Sequence, residues 1–205
     1  MKHLLFSAAG ALVLVACGTD PDSAQEGTET ESTLFAALQS LCGDAFEGEV
    51  VSDDPADADW AGEVLTVHVR TCTDDMVRMP LHVGDDRSRT WVVTRLEDGR
   101  LRLKHDHRHE DGSEDALTQY GGDTEGEVDD LSARFPADDF SRDLFEREGI
   151  PASMDNVWTL AIEDGGDTLV YALDRPGRHF EARIDLTETV STPPAPWGAE
   201  PGTQD

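Results

Sequence analysis

The chain is poor in positive charge. Of its 205 residues only 16 are Lys or Arg, against 44 Asp or Glu, for a formal net charge of −28. A nucleic-acid binder needs a basic face to neutralise phosphates, so that class is excluded. An anionic membrane surface is an equally poor electrostatic partner. Long apolar runs are absent beyond the first sixteen residues, so no later stretch suits a membrane-spanning helix. There is no Gly-x-Ser-x-Gly, no phosphate-binding glycine loop and no dinucleotide fingerprint. Cysteines number only three. What remains is 38% hydrophobic residues. They fall in alternating runs, which argues for a folded core rather than full disorder.

Residues 1–16, MKHLLFSAAGALVLVA, open with Lys2 and His3 and then run without charge from Leu4 to Ala16. The run is too short to span a bilayer comfortably and has the layout of a secretory signal peptide. It ends Leu14-Val15-Ala16-Cys17-Gly18, which resembles the bacterial lipobox. That resemblance implies lipidation of Cys17 as the first mature residue. It also implies export to the bacterial cell envelope, facing the periplasm, and attachment to a membrane through the lipid. The alternative is an ordinary signal peptide with a chance cysteine. With Cys17 taken by lipid, Cys42 and Cys72 remain. In an oxidising compartment they are expected to form a disulfide, since neither has the second nearby cysteine of a thiol metal site.

Gly18 to Thr33 lacks large apolar residues, so residues 17–33 read as a lipidated, acidic, flexible tether. Ser191 to Asp205 holds four prolines and little to bury, so 189–205 reads as a disordered tail. The folded domain is then 34–188. Leu34, Phe35, Leu38 and Leu41 share one side of a helical wheel, giving a short helix over 33–42. A period of two follows. Leu65, Val67 and Val69 alternate with polar residues, as do Val77, Met79, Leu81 and Val83. Further strands are expected at 89–96, 100–109 and 114–120, with one more at 47–52. The Asp98-Gly99 and Asp111-Gly112 pairs suit tight hairpin turns. A second helix is expected from Asp138 as N-cap to Gly149, before Pro151. Three strands close the domain, at 156–163, 168–174 and 178–186.

The expected fold is mainly β: a single antiparallel up-and-down barrel of about eight or nine strands with two short helices. A two-sheet β-sandwich is the alternative. The order of helix, long meander, helix and final strands resembles a calycin, the lipocalin and fatty-acid-binding superfamily, which implies an interior able to hold one small ligand. The segments HVGDDRSRTW (82–91), LKHDHRHEDGSED (103–115) and TQYGGDT (118–124) resemble a family of uncharacterised secreted bacterial proteins. This second resemblance implies export and a single domain, and no activity.

His105, His107 and His109 alternate with Asp106 and Arg108, so on a strand they share a face with Leu101 and Leu103. A two-residue turn at Asp111-Gly112 would set His109 opposite Glu114, His107 opposite Ala116 and His105 opposite Thr118. Imidazoles and a carboxylate so gathered suit zinc or a similar divalent ion. The plainer reading is a charged, hydrated hairpin. Gly99 followed by His105-x-His107 also resembles the start of the first cupin motif, which implies a metal-dependent enzyme. That motif's glutamate is missing at Asp111 and Gly112, however, and its second half is absent. The metallo-β-lactamase pattern fails at His109. In the loop from Asp85 to Arg89, Arg87 and Arg89 are candidates to hold an anionic ligand, and Tyr120 is a further ligand-binding candidate. Asp53, Asp54, Asp57 and Asp59 read as a solvated turn. The expectation is an anchored envelope protein whose barrel binds a small molecule or a basic protein partner. A metal carrier or enzyme using the histidines is the alternative.

Overall fold

The computed structural model describes residues 33–199. The expected signal peptide, Cys17 and most of the expected tether lie outside the described residues, as does the end of the expected tail from 200 on. Thr33 caps α1 (Leu34–Ser40), its hydroxyl accepting from Ala36 N–H. Seven residues are too few for a stable isolated helix. This one is held by tertiary contacts, with Leu34, Phe35 and Leu38 buried. The expected helix of 33–42 is thus shortened at its end.

Among the described residues eleven strands follow: β1 (Ala45–Val50), β2 (Leu65–His68), β3 (Thr71–Cys72), β4 (Met76–Val83), β5 (Asp86–Arg95), β6 (Leu101–His107), β7 (Tyr120–Asp123), β8 (Ser132–Pro136), β9 (Val157–Glu163), β10 (Thr168–Arg175) and β11 (Arg178–Asp185). A second helix, α2 (Asp139–Arg147), lies between β8 and β9, with Asp138 as its N-cap as expected. All paired strands are antiparallel in one sheet of order β7-β6-β5-β4-β2-β1-β11-β10-β9-β8, with β3 paired on β4. The last strand pairs with the first, Gly48 opposite Ile184, and β7 comes back beside β8. The sheet is therefore a nearly closed up-and-down barrel, and the two-sheet sandwich is set aside. There are more strands than the eight or nine expected, because the two-residue β3 and the Pro-ended β8 are too short to show alternation.

The seam between β7 and β8 is closed without a regular ladder. Asp138 N–H donates to Gly121 carbonyl at 3.0 Å. The fully buried Ser141 on α2 accepts from Gly121 N–H at 2.7 Å and donates to Gly121 carbonyl at 2.8 Å. A Cβ on Gly122 would stand 1.8 Å from Pro136 carbonyl oxygen, so only glycine allows this approach. This also corrects the strand expected at 114–120. A Gly-Gly pair reads as a strand breaker, yet here β7 is Tyr120–Asp123 because its partners come too close for side chains. Residues 115–119 are loop, and Glu114 makes a single bridge with Arg108.

The described part of the expected disordered tail, 189–199, is laid against the barrel. Val190 N–H donates to Ala45 carbonyl, Trp197 N–H to Arg87 carbonyl, and Arg87 Nη1 to Ala195 carbonyl. Pro196 is buried. A proline-rich strip with one tryptophan has no periodicity to betray a docked segment, which is why composition alone reads it as free.

α1 closes the end of the barrel at which β5 finishes. Arg95, at that end, lies with its guanidinium 5.1 Å from the Phe35 ring. Cys42, just past α1, is bonded to Cys72 on β3, with sulfurs 2.04 Å apart and a sequence separation of 30.

Candidate functional site

The other end of the barrel is where the inward lines of the strands become polar. On β10 the inward residues run Leu169, Tyr171, Leu173, Arg175; on β11 they run Ile184, Ala182, Phe180, Arg178, in register with them. On β5 and β6 the inward lines meet as Trp91 opposite His105 and Arg89 opposite His107. Between them is an open cavity of about 480 Å³. Small-molecule sites commonly span about 300–1,000 Å³. Its deep wall is aromatic. Trp91 and Tyr171 are stacked with centroids 4.3 Å apart, His105 and Tyr120 at 4.6 Å, and Trp158 leans on Tyr120 at 5.6 Å. Trp60, from the β1–β2 connection, meets Phe180 edge-on at 5.2 Å and brings that connection to the rim.

Burial fixes the protonation of the deep groups. His105 is held down to about 3, first by burial and then by the neighbouring His107. His107 is held at about 4, by burial and then by Arg89. Burial likewise pushes the phenols of Tyr120 and Tyr171 upward. All four are therefore neutral near pH 7. The tautomer of His105 follows from its partners. Nδ1 lies 3.1 Å from Tyr120 carbonyl oxygen, which only accepts, so Nδ1 carries the proton. Nε2 is then an acceptor, and the Tyr171 hydroxyl donates a hydrogen bond to it at 2.8 Å. The Tyr120 hydroxyl lies 3.3 Å from His107 Nε2. The deep site is thus a set of flat, uncharged faces with a few hydroxyl and imidazole edges.

The rim is cationic and mostly neutralised. Arg178 forks onto Asp57 and reaches Asp54 at 3.3 Å. Asp57, expected in a solvated turn, is 4% exposed and also accepts from Ser52 Oγ, so it ties the β1–β2 connection to β11. Arg89 is paired with Asp86, and Arg108 with Asp106 and Glu114. Arg175 differs. It donates from Nη1 to Ser153 Oγ at 2.7 Å and Asn156 Oδ1 at 3.4 Å, with no carboxylate partner among the described residues.

The sequence-nominated residues separate accordingly. His105, His107, Tyr120 and Arg89 line the cavity. His109 is exposed and faces Asp115 at 3.8 Å, and Glu114 is turned to Arg108 and Gln119. Arg87 faces the tail segment. The expected convergence of His105, His107, His109 and Glu114 does not form. Its assumed register is shifted, with His105 opposite Tyr120 rather than Thr118, and Arg108 rather than His109 opposite Glu114. Among the described residues, no group of three or more His, Cys, Asp and Glu side chains is placed to hold a metal ion. Arg175, Arg178, Tyr171, Trp158 and Phe180 went unnominated, although strand parity puts Arg175 on the line of Tyr171 and Leu173.

A scan against protein-family models finds no match, and a search of curated proteins finds none either.

Proposed function

We propose that this is a lipid-anchored bacterial envelope protein whose barrel binds a small, flat, largely apolar molecule. The observation that carries the reading is the cavity of about 480 Å³ walled by Trp91, Trp158, Tyr120 and Tyr171. Trp60 and Tyr120 keep part of their surface open to solvent at this cavity, and covering it with a planar molecule releases water from both, at roughly 25 cal/mol per Å² of apolar surface. Stacked or edge-on rings add about 0.5–1.5 kcal/mol each. The neutral imidazole and hydroxyl edges orient the guest without charge. Anchoring through Cys17 is supported by the lipobox resemblance of residues 14–18. A tether over 17–33 would hold the open barrel off the membrane surface.

Binding is tested with naphthalene-2-carboxamide, an uncharged fused-ring probe, followed through quenching of tryptophan fluorescence. Saturable quenching in the micromolar range is expected, weakened about tenfold by Trp60→Ala, since one ring contact of that size is lost. No quenching at millimolar probe, together with native mass spectrometry showing no small molecule on protein from the cell envelope, overturns the reading. Anchoring is tested separately by the mass of the mature protein. A lipid adduct on the Cys17 peptide, abolished by Cys17→Ala, is expected; a mature species without lipid refutes it.

A further inference from the structure

Resting on that reading, we infer that the bound molecule carries one oxyanion, a carboxylate or sulfonate, which is received by Arg175 at the rim while its flat body lies among the aromatic rings. Four guanidinium groups line this cavity. Three are already neutralised by carboxylates: Arg178 by Asp57 and Asp54, Arg89 by Asp86, and Arg108 by Asp106 and Glu114. Arg175 stands apart in a protein with 44 acidic residues. Its only partners among the described residues are the neutral Ser153 Oγ and Asn156 Oδ1, both engaged by Nη1. Nε and Nη2 are left without a protein acceptor there.

The geometry of this group suits an oxyanion. A guanidinium offers parallel N–H donors that match the two oxygens of a carboxylate, and the charge-assisted pair is stronger than a neutral one. Ser153 and Asn156 hold Nη1, so the fork is oriented before a ligand arrives and less rotamer freedom is lost on binding. Arg175 follows Tyr171 and Leu173 on the inward face of β10, and Leu173 is opposite both Trp158 and Phe180. An acid group on Arg175 therefore directs the rest of the molecule down the aromatic wall. The count of charges sets the valence. One cation is uncompensated, and Asp115 also lines the cavity, so a second negative charge on the ligand would find no partner.

The test compares 2-naphthoate with naphthalene-2-carboxamide, matched in shape and differing in charge, on the full-length protein and its Arg175→Gln and Arg175→Lys variants. The naphthoate is expected to bind about tenfold or more tightly than the amide to the unmodified protein. Arg175→Gln should weaken the naphthoate about tenfold or more and the amide, which loses at most one neutral acceptor contact, by no more than a few-fold, and the remaining amide binding shows the pocket intact. Arg175→Lys should restore part of the gap, since it keeps the charge and loses the fork. Equal affinities in the unmodified protein, or an equal loss of both probes in Arg175→Gln, overturn the inference and leave the apolar pocket standing. If neither probe binds, the pocket reading itself falls and this inference falls with it.

Discussion

At the α1 end of the barrel, Leu34, Phe35 and Leu38 are buried and the Cys42–Cys72 bond ties the helix to the sheet. At the other end, the same strands present Arg89, His107, Arg175 and Arg178 around an open cavity, with His105, Tyr120 and Tyr171 beneath them. The longer strands thus carry apolar packing toward one end and the polar lining of the cavity toward the other. Apolar and covalent contacts at the closed end lose nothing on exclusion of water. The open end keeps buried polar edges and a guanidinium whose cost of desolvation a ligand would offset. Damage to the first end should therefore appear in stability, and damage to the second in binding.

The largest expected effect comes from the closed end. Cys42→Ser opens a loop of about 30 residues, which the chain-entropy model values at roughly 3–4 kcal/mol. For a domain of this size that is a fall in melting temperature of roughly 6–16 °C. Thermal unfolding followed by circular dichroism measures it. Affinity for naphthalene-2-carboxamide below the transition should be unchanged; a large change in affinity would break the separation of the two ends.

Next in size is the pH dependence set by the open end. His107 titrates at about 4 in the folded protein and near 6.5 when unfolded. Between those values the unfolded chain binds the extra proton, so stability is full above about 6.5 and falls as pH drops toward 4. At about 1.4 kcal/mol per unit, the loss is about 3 kcal/mol. Burial of His105, held at about 3, acts in the same direction. Urea unfolding between pH 4 and 7 should show this slope, and His107→Gln should make it shallower by about one proton's share, with His105 and the buried His82, held at about 4, still contributing. An unchanged slope in that variant would show that His107 is not the group responsible.

The seam is expected to give a smaller effect. Ser141→Ala removes the partner of Gly121 N–H, leaving a buried donor unpaired at a cost of about 1–3 kcal/mol. Denaturant midpoints check this, and faster amide hydrogen exchange should be confined to β7 and α2. Exchange that accelerates across the whole sheet would mean the seam is not a local closure.

The smallest effect on stability belongs to Arg175→Gln. A half-buried arginine with two neutral partners should contribute within about 0.5 kcal/mol to folding. A melting temperature unchanged to within a few degrees, beside a selective loss of naphthoate binding, is the sharpest contrast with Cys42→Ser. A large stability loss would place Arg175 with the framework instead.

Much of this architecture can be read from residue order. Alternation in 65–70 and 77–83, and again in 168–174 and 178–186, marks strands because apolar residues line the face turned into the barrel, although parts of β4 and β10 are covered on both faces. The stripes of α1 and α2 and the caps at Asp138 and Gly149 are equally local in their signals, while the pairing of Cys42 with Cys72 followed from the small number of cysteines. A closed barrel follows from many antiparallel strands that cannot leave edges unpaired. Parity also places His105 and His107 on the inner face.

Pairing between distant segments is not written locally. Whether His107 faces Ala116 or another residue depends on the turn after it, and a shift there separates His109 and Glu114 from the inner histidines. The glycines of β7 look like breakers until Leu103 and Pro136 are known to press on them. Asp57 reads as solvated until Arg178, 121 positions away, lies across it. Arg175 is one arginine among many until the carboxylates of every other guanidinium in the cavity are counted. The sequence alone determined most of the strands and both helices, because alternation and helical stripes depend on neighbours along the chain; the short β3 and β8 and the glycine strand β7 did not show in it. Only the tertiary structure decided which charges are spent on one another and that Arg175 is left with neutral partners, because charge pairing depends on distances across the barrel.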